Sequence, residues 1–353
     1  MGSVFLGRAT AQDLLDSFLK ALSNIPLSKI FLVSMDGLNV NLSFLNKFEE
    51  HISNEYPDSK HLIKMGTCGL HVIHGAMKTD QKSVDWDIFA ILRNLYYLFK
   101  DSSARRADFT RITSCSIFPK KNCAVRWLEN SDCIARAIKI VDPVTKYLSQ
   151  LKHTDCKLKA SLQMSMKDPF IKCKLAFIMS LSLQCEIFLT NFQSEKVCVP
   201  NLYAELPRLL GGIIKKFVKP EKVLEGSALL KLDLNSKDNL LEAKNLNVGF
   251  GAKKYFKKLK IADKTKFFFF WTVTKFCRIW LKKLLLRVHS NINLVRGLSS
   301  LHPSVMLNNS SIGLTRFNIV LEVLHNANRI TEIVAERAKD QYVSFCSVVK
   351  ERH

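Results

Sequence analysis

Between residues 69 and 224 apolar side chains recur at three- and four-residue spacing almost without a break. That rhythm constrains the fold more than any other feature of the chain. Val84–Lys100, Asn130–Leu151, Pro169–Phe192 and Leu202–Val218 each carry it. Because an α-helix turns once every 3.6 residues, the spacing collects apolar groups on one face, which must then be buried against a neighbour. Phe118-Pro119-Lys120-Lys121-Asn122 reads as a break between helices, and Asn191–Pro200 as a loop. The chain is therefore expected to be mostly α overall. At 353 residues and 47% apolar it can bury a substantial core, and its length fits two or three domains.

The first 75 residues follow a different pattern. Residues 10–24 have helical periodicity through Leu14, Leu15, Phe18, Leu19 and Leu22, with Thr10 as the N-cap. Ile30-Phe31-Leu32-Val33-Ser34-Met35 then forms an apolar run ending in Asp36-Gly37. A buried strand that delivers a carboxylate beside a turn is a common way to present a metal ligand; the plainer alternative is an ordinary Asp-Gly turn. Residues 41–56 read as a second helix, broken at Tyr56-Pro57. Leu62–Met65 forms a short strand leading to Cys68, His71 and His74. Alternating helix and strand is the mark of an α/β unit. Beyond the helical stretch, residues 225–266 read as loops and short strands, with Gly249-Phe250-Gly251 among the turn signals, and residues 264–350 return to helix. The resulting division is 1–75, 76–224, 225–266 and 267–353.

Lys+Arg number 53 against Asp+Glu 31, a formal charge of +22, which favours a partner of negative potential: nucleic acid first, an anionic membrane surface second. The densest basic run is Lys253, Lys254, Lys257, Lys258 and Lys260, interleaved with Tyr255 and Phe256. Such interleaving suits phosphate contacts with some stacking, although a nuclear import signal or a solvated helix face has the same composition. No recognition helix is apparent, so binding of low sequence preference is expected. The ten cysteines lack disulfide-scaffold spacing and read as reduced thiols. With no secretory pattern at the N-terminus, the expectation is a nuclear or cytoplasmic protein, neither secreted nor transmembrane. The strongest candidate span, Phe267–Val288, is interrupted by Lys275, Arg278, Lys282, Lys283 and Arg287, and reads as a packed helix with a narrow basic stripe. Hydrolase, P-loop and zincin signatures are absent.

Taken in order, Val33-Ser-Met-Asp36-Gly-Leu-Asn-Val-Asn41, Gly66-Thr-Cys68-Gly-Leu-His71-Val-Ile-His74-Gly-Ala-Met-Lys78, Asp101–Phe109, Val125-Arg126-Trp127-Leu-Glu-Asn130 and Val248-Gly-Phe-Gly-Ala-Lys-Lys254 resemble the hAT-type transposases. The resemblance runs from about Val4 to about Lys260. It implies a partial RNase H-like α/β core and a large helical insertion opened by Arg126-Trp127. Asp36 would be the second acid of a DDE triad, with Cys68 and His71 shaping the core beside it. Arg126 would meet a phosphate and Trp127 stack on a base or brace the insertion, a buried Trp beside a solvated Arg being the alternative.

The sequence departs from that pattern elsewhere. Its first ten residues match the stretch just after the strand expected to carry the first acid, and neither the family's zinc finger nor its final Glu is recognised. Strand transfer in such cores clamps two divalent metals about 3.5–4 Å apart, and Mg²⁺ is commonly held by one or two carboxylates plus substrate phosphate. Asp36 alone does not meet that demand, and nothing ties Asp80, Asp85, Asp87, Glu322, Glu332 or Glu336 to it. The expectation is a catalytically inactive transposase-like protein without cofactor, Mg²⁺ or Mn²⁺ entering only with residual nuclease activity. Cys68, His71 and His74 offer three zinc ligands where a structural site takes four, so packing is favoured over metal. The alternative function is a protein-interaction module working through the C-terminal helices. An incomplete sheet would expose unpaired edges, so poor solubility is also expected.

Overall fold

The computed structural model describes residues 5–7, 9–33, 35, 39–56, 62–63, 73–77, 83–123, 130–151, 157–192, 199–223, 226–289 and 292–352. The fold is mostly α. In chain order its helices are α1 (Ala11–Ala21), α2 (Asn39–Glu55), α3 (Ile88–Phe99), α4 (Ser103–Thr113), α5 (Ser131–Gln150), α6 (Lys157–Met166), α7 (Ile171–Phe192), α8 (Val199–Ile214), α9 (Phe250–Lys257), α10 (Asp263–His289), α11 (Ile292–Leu298), α12 (Pro303–Asn308), α13 (Ser310–Asn326) and α14 (Glu332–Glu351). Contacts divide the chain into two compact units. One comprises Met1–Val72, Glu195–Glu205 and Leu286–His353; the other comprises Ile73–Ser194 and Leu206–Leu285.

In the first unit, Thr10 caps α1 as its residue type predicts. Its hydroxyl accepts from the Asp13 N–H at 3.2 Å, while the Asp13 carboxylate accepts from the Thr10 N–H at 3.1 Å. This reciprocal box satisfies two N–H groups that a helix start leaves without intrahelical partners. The Thr10 hydroxyl also donates to the Asp13 carboxylate at 2.6 Å, and this bond, with that from the Thr10 N–H, lowers the Asp13 pKa from its ordinary value. Helices α1 and α2 pack together through Leu15, Phe44, Phe48 and Ile52, with Phe18 edge-on to both Phe44 and Phe48. In the C-terminal part of this unit, α12, α13 and α14 meet over Met306, Tyr342 and Cys346. There Tyr342 stacks on Phe317 with ring centroids 4.4 Å apart and donates its hydroxyl to Ser300 O at 2.9 Å.

The second unit is built round α7, which α5 and α9 both contact. Its buried residues, among them Leu175, Phe177, Ile178, Leu181, Cys185 and Leu189, point in several directions. A helix apolar on most sides belongs in a protein interior or a bilayer. Among the described residues α7 is the one helix long and apolar enough to cross a membrane, and half of its most apolar window is buried inside the fold. Two aromatic clusters fill the unit. Trp86 stacks on Phe269 and Phe276 at 5.8 and 6.1 Å and meets Phe177 edge-on. Phe99, Phe109, Phe118 and Tyr147 form the other. Burying each such side chain contributes about 1.5–3 kcal/mol.

Two expectations need correction. Among the described residues there is no β-strand, so the expected sheet of an α/β core is not seen there. The segments read as strands meet in one parallel bridge, Leu32 with Ile63, in which the Ile63 N–H donates to Phe31 O at 2.7 Å. The apolar run is also not a buried strand: Ile30, Leu32, Val33 and Met35 are half-buried and Phe31 is 49% exposed. Described residues between 225 and 266 likewise hold no strand. They form 3₁₀ turns and α9, joined to the preceding segment by an antiparallel bridge between Val218 and Leu240. Their aliphatic residues are mostly Leu, with β-branched side chains few and strand-poor Lys, Asn, Asp and Gly many, a composition that disfavours a ladder.

Candidate nucleic-acid interface

Helix α9 positions the basic run. Its N-terminus is pinned against α7 by two glycines. Gly249 has φ +86°, and a Cβ there would stand 2.6 Å from Ser180 Oγ, while a Cβ on Gly251 would stand 3.3 Å from Ala176 Cβ. A side chain at Gly249 would meet both strain and collision, so glycine is what allows the close approach. The inward side of α9 is completed by buried Ala252 and by Phe256, whose ring lies 4.7–6.2 Å from those of Phe170, Phe269 and Phe270.

With that side fixed, Lys253, Lys254, Lys257, Lys258 and Lys260 are all exposed. Among the described residues no carboxylate lies within ion-pair distance of any of them. Lys254 and Lys257 occupy the last turn and Lys258 the C-cap, where the negative end of the helix dipole favours cations. The structure therefore brings together the five lysines that the sequence singled out.

Beside them lies an open cleft of about 580 Å³, lined by α5, the start of α7 and the end of α9. Lys146, Lys172, Tyr255 and Lys258 line it together with Asp142 and Asp168. Both carboxylates are engaged: Asp142 pairs with Lys172, and Asp168 pairs with Lys174 at 2.6 Å. Lys172 also lies 5.8 Å from the Tyr255 ring centroid. Such a cleft can receive anionic groups on its lysines while Tyr255 offers a ring face.

Three features were not read from the sequence. One is the addition of Lys146 to the basic face, which depends on helix packing. Another is Lys216, half-buried with its Nζ donating to Ser180 Oγ at 3.3 Å, whose burial lowers its pKa. The third concerns α10, read as exposing only a basic stripe: Phe267, Phe268 and Trp271 are 61%, 62% and 50% exposed. The signal available was their position at the polar end of an otherwise apolar helix.

Asp36, Cys68, His71, Arg126 and Trp127 lie outside the described residues. His74 is buried. Among the described residues no group of three or more His, Cys, Asp or Glu is placed to hold a metal ion. Comparison with protein families, with curated proteins and with solved structures gave no match to this chain.

Proposed function

We propose that this chain is a catalytically inactive, hAT transposase-like protein that holds nucleic acid without sequence preference through the basic face of α9. The observation that carries the binding reading is the set of five exposed lysines, three on α9, one at its C-cap and one just beyond, where the opposite side of the helix is locked to α7 by Gly249 and Gly251. Charge displayed this way contacts phosphate and does not read base edges. The transposase reading rests on the motif order. It is supported by the parallel Leu32–Ile63 bridge, in which two segments separated by α2 pair as neighbouring strands of an RNase H-like core do. On this reading Asp36 is a vestigial second acid, Cys68 and His71 are packing residues, and Arg126 and Trp127 add a phosphate contact and a stacking ring. No cofactor is required, and the protein works in the nucleus or cytoplasm without a membrane.

The test is binding of purified chain to a mixed-sequence DNA duplex at low and near-physiological salt, with Mg²⁺ and Mn²⁺ cleavage lanes alongside. Binding that collapses with salt and survives Asp36→Asn, without cleavage, is expected. Metal-dependent nicking abolished by Asp36→Asn would instead establish a nuclease. A second reading, a protein-interaction module, draws on α14, where Ile333, Val334, Val343, Phe345 and Val348 are all exposed. Concentration-dependent self-association without DNA binding would favour it.

A further inference from the structure

We infer that α10 carries a stacking platform for unpaired bases, so that the preferred ligand is single-stranded rather than duplex nucleic acid. This rests on the nucleic-acid reading above and narrows its ligand. Lys264, Phe268, Trp271 and Lys275 follow one another at i, i+4, i+7 and i+11, which places them on one stripe of the helix. The Phe268 and Trp271 rings are stacked, with centroids 5.6 Å apart and planes 27° from parallel, and Lys275 Nζ lies 5.4 Å from the Trp271 centroid. Phe267 is exposed beside them. The stripe thus runs cation, ring, ring, cation.

The exposure of these rings is selective. On the same helix Phe269, Phe276 and Trp280 are buried in the unit's core, so the helix separates its aromatics into an inward and an outward set. The outward set begins seven residues beyond Lys260, in the same unit as α9. The one acid of α10, Asp263, is paired with Lys266 at 2.9 Å and leaves Lys264 and Lys275 for a ligand. Charge complementarity selects a polyanion, and exposed ring faces select a polyanion with flat apolar faces to offer. In a duplex those faces are covered by neighbouring base pairs, whereas in a single strand they are free to stack on protein rings.

The full chain should be titrated with oligo(dT) of twenty residues and with a mixed-sequence duplex of equal length, following both anisotropy and tryptophan emission. The titration is run in a Trp127→Phe background, which removes the other tryptophan given a stacking role. Trp86 and Trp280 are buried and Trp271 is half exposed, so quenching by oligo(dT) should fall sharply when Trp271→Phe is added, a change that keeps a stacking ring and keeps affinity. Trp271→Leu with Phe268→Leu preserves apolar area but removes the π faces. It should weaken oligo(dT) binding about tenfold or more while changing duplex binding less than about twofold. Equal affinity for single strand and duplex, unaffected by the leucine pair, would overturn the platform while leaving the basic-face reading intact. Absence of binding to either nucleic acid would remove both. Loss of the tryptophan signal on phosphatidylserine vesicles but not on oligo(dT) would reassign the rings to a lipid surface.

Discussion

Neutralising α9 should change how binding depends on salt, and by an amount the structure sets. Lys253, Lys254, Lys257, Lys258 and Lys260 are exposed and, among the described residues, have no acid partner. Each is therefore free to displace a counterion from a phosphate. The slope of log K against log salt is about −0.9 per phosphate neutralised on duplex DNA, so five contacts supply about −4.5. Between 50 and 200 mM salt that corresponds to about a 500-fold loss of affinity. The five-fold Lys→Gln variant should be shallower by about 4.5, and Lys253→Gln with Lys254→Gln by about 1.8.

Exposed Lys→Gln changes shift stability by no more than about 0.5 kcal/mol each, so unfolding should not confound the measurement. The assay is anisotropy of a labelled duplex across that salt range. Its control removes the same net charge from scattered exposed positions, Lys20, Lys29, Lys121, Lys215 and Lys237. If control and α9 variant flatten the slope equally, net charge rather than this helix holds the ligand, and the assignment of the interface is wrong.

Other expectations concern the scaffold. Gly249→Ala should cost about 1–3 kcal/mol in urea unfolding, since it forces a side chain into φ +86° and against Ser180; an unchanged midpoint would mean α9 does not need that approach. Tyr147→Phe should be neutral or raise Tm, because the Tyr147 hydroxyl is buried with no hydrogen-bond partner among the described residues. Phe177→Ala should cost about 3–5 kcal/mol, for Phe177 is buried between Trp86 and Phe276. Burial pushes the Cys277 and Cys185 thiols from 9.0 up to about 12, so their contribution to stability is complete below pH 9 and is lost as pH rises from there toward 12. Lys216 acts in the opposite sense, its lowered pKa making stability rise with pH below 10.5. Cys277→Ala should therefore flatten the fall in stability between pH 9 and 10.5, read from urea midpoints, and parallel curves for the two proteins would refute this.

Helices with a strong apolar stripe were legible because one face of each meets the core. Asn130–Leu151 was expected and Ser131–Gln150 is found; Pro169–Phe192 was expected and Ile171–Phe192 is found. Helix α4 was missed because Phe109 is its one buried residue, which leaves almost no periodicity to read. The N-terminal strand pattern yields one parallel bridge and no strand among the described residues, for a related reason. An apolar run of six residues has the composition of a buried strand, but burial on both faces requires covering layers that local sequence does not encode. At the candidate site the lysine run was visible as composition. Its geometry depends on Gly249 meeting Ser180 and on Lys172 meeting Tyr255, contacts between segments far apart in the chain.

The apolar α7 and the basic α9 have a single physical explanation. Helix α7 is apolar on most sides because α5 and α9 both pack on it, and that packing accounts for a hydropathy that would also fit a bilayer. Close packing of α9 requires small residues where the backbones approach, supplied by Gly249, Gly251 and Ala252. A helix of eight residues that turns Gly251, Ala252 and Phe256 inward leaves Lys253, Lys254 and Lys257 to solvent. Lysine fits those positions twice over: its stem covers apolar surface at the rim, and its ammonium complements the negative helix C-terminus. A concentrated basic face thus follows from how α9 is held, and substitutions that loosen Gly249 should weaken nucleic-acid binding even with every lysine in place.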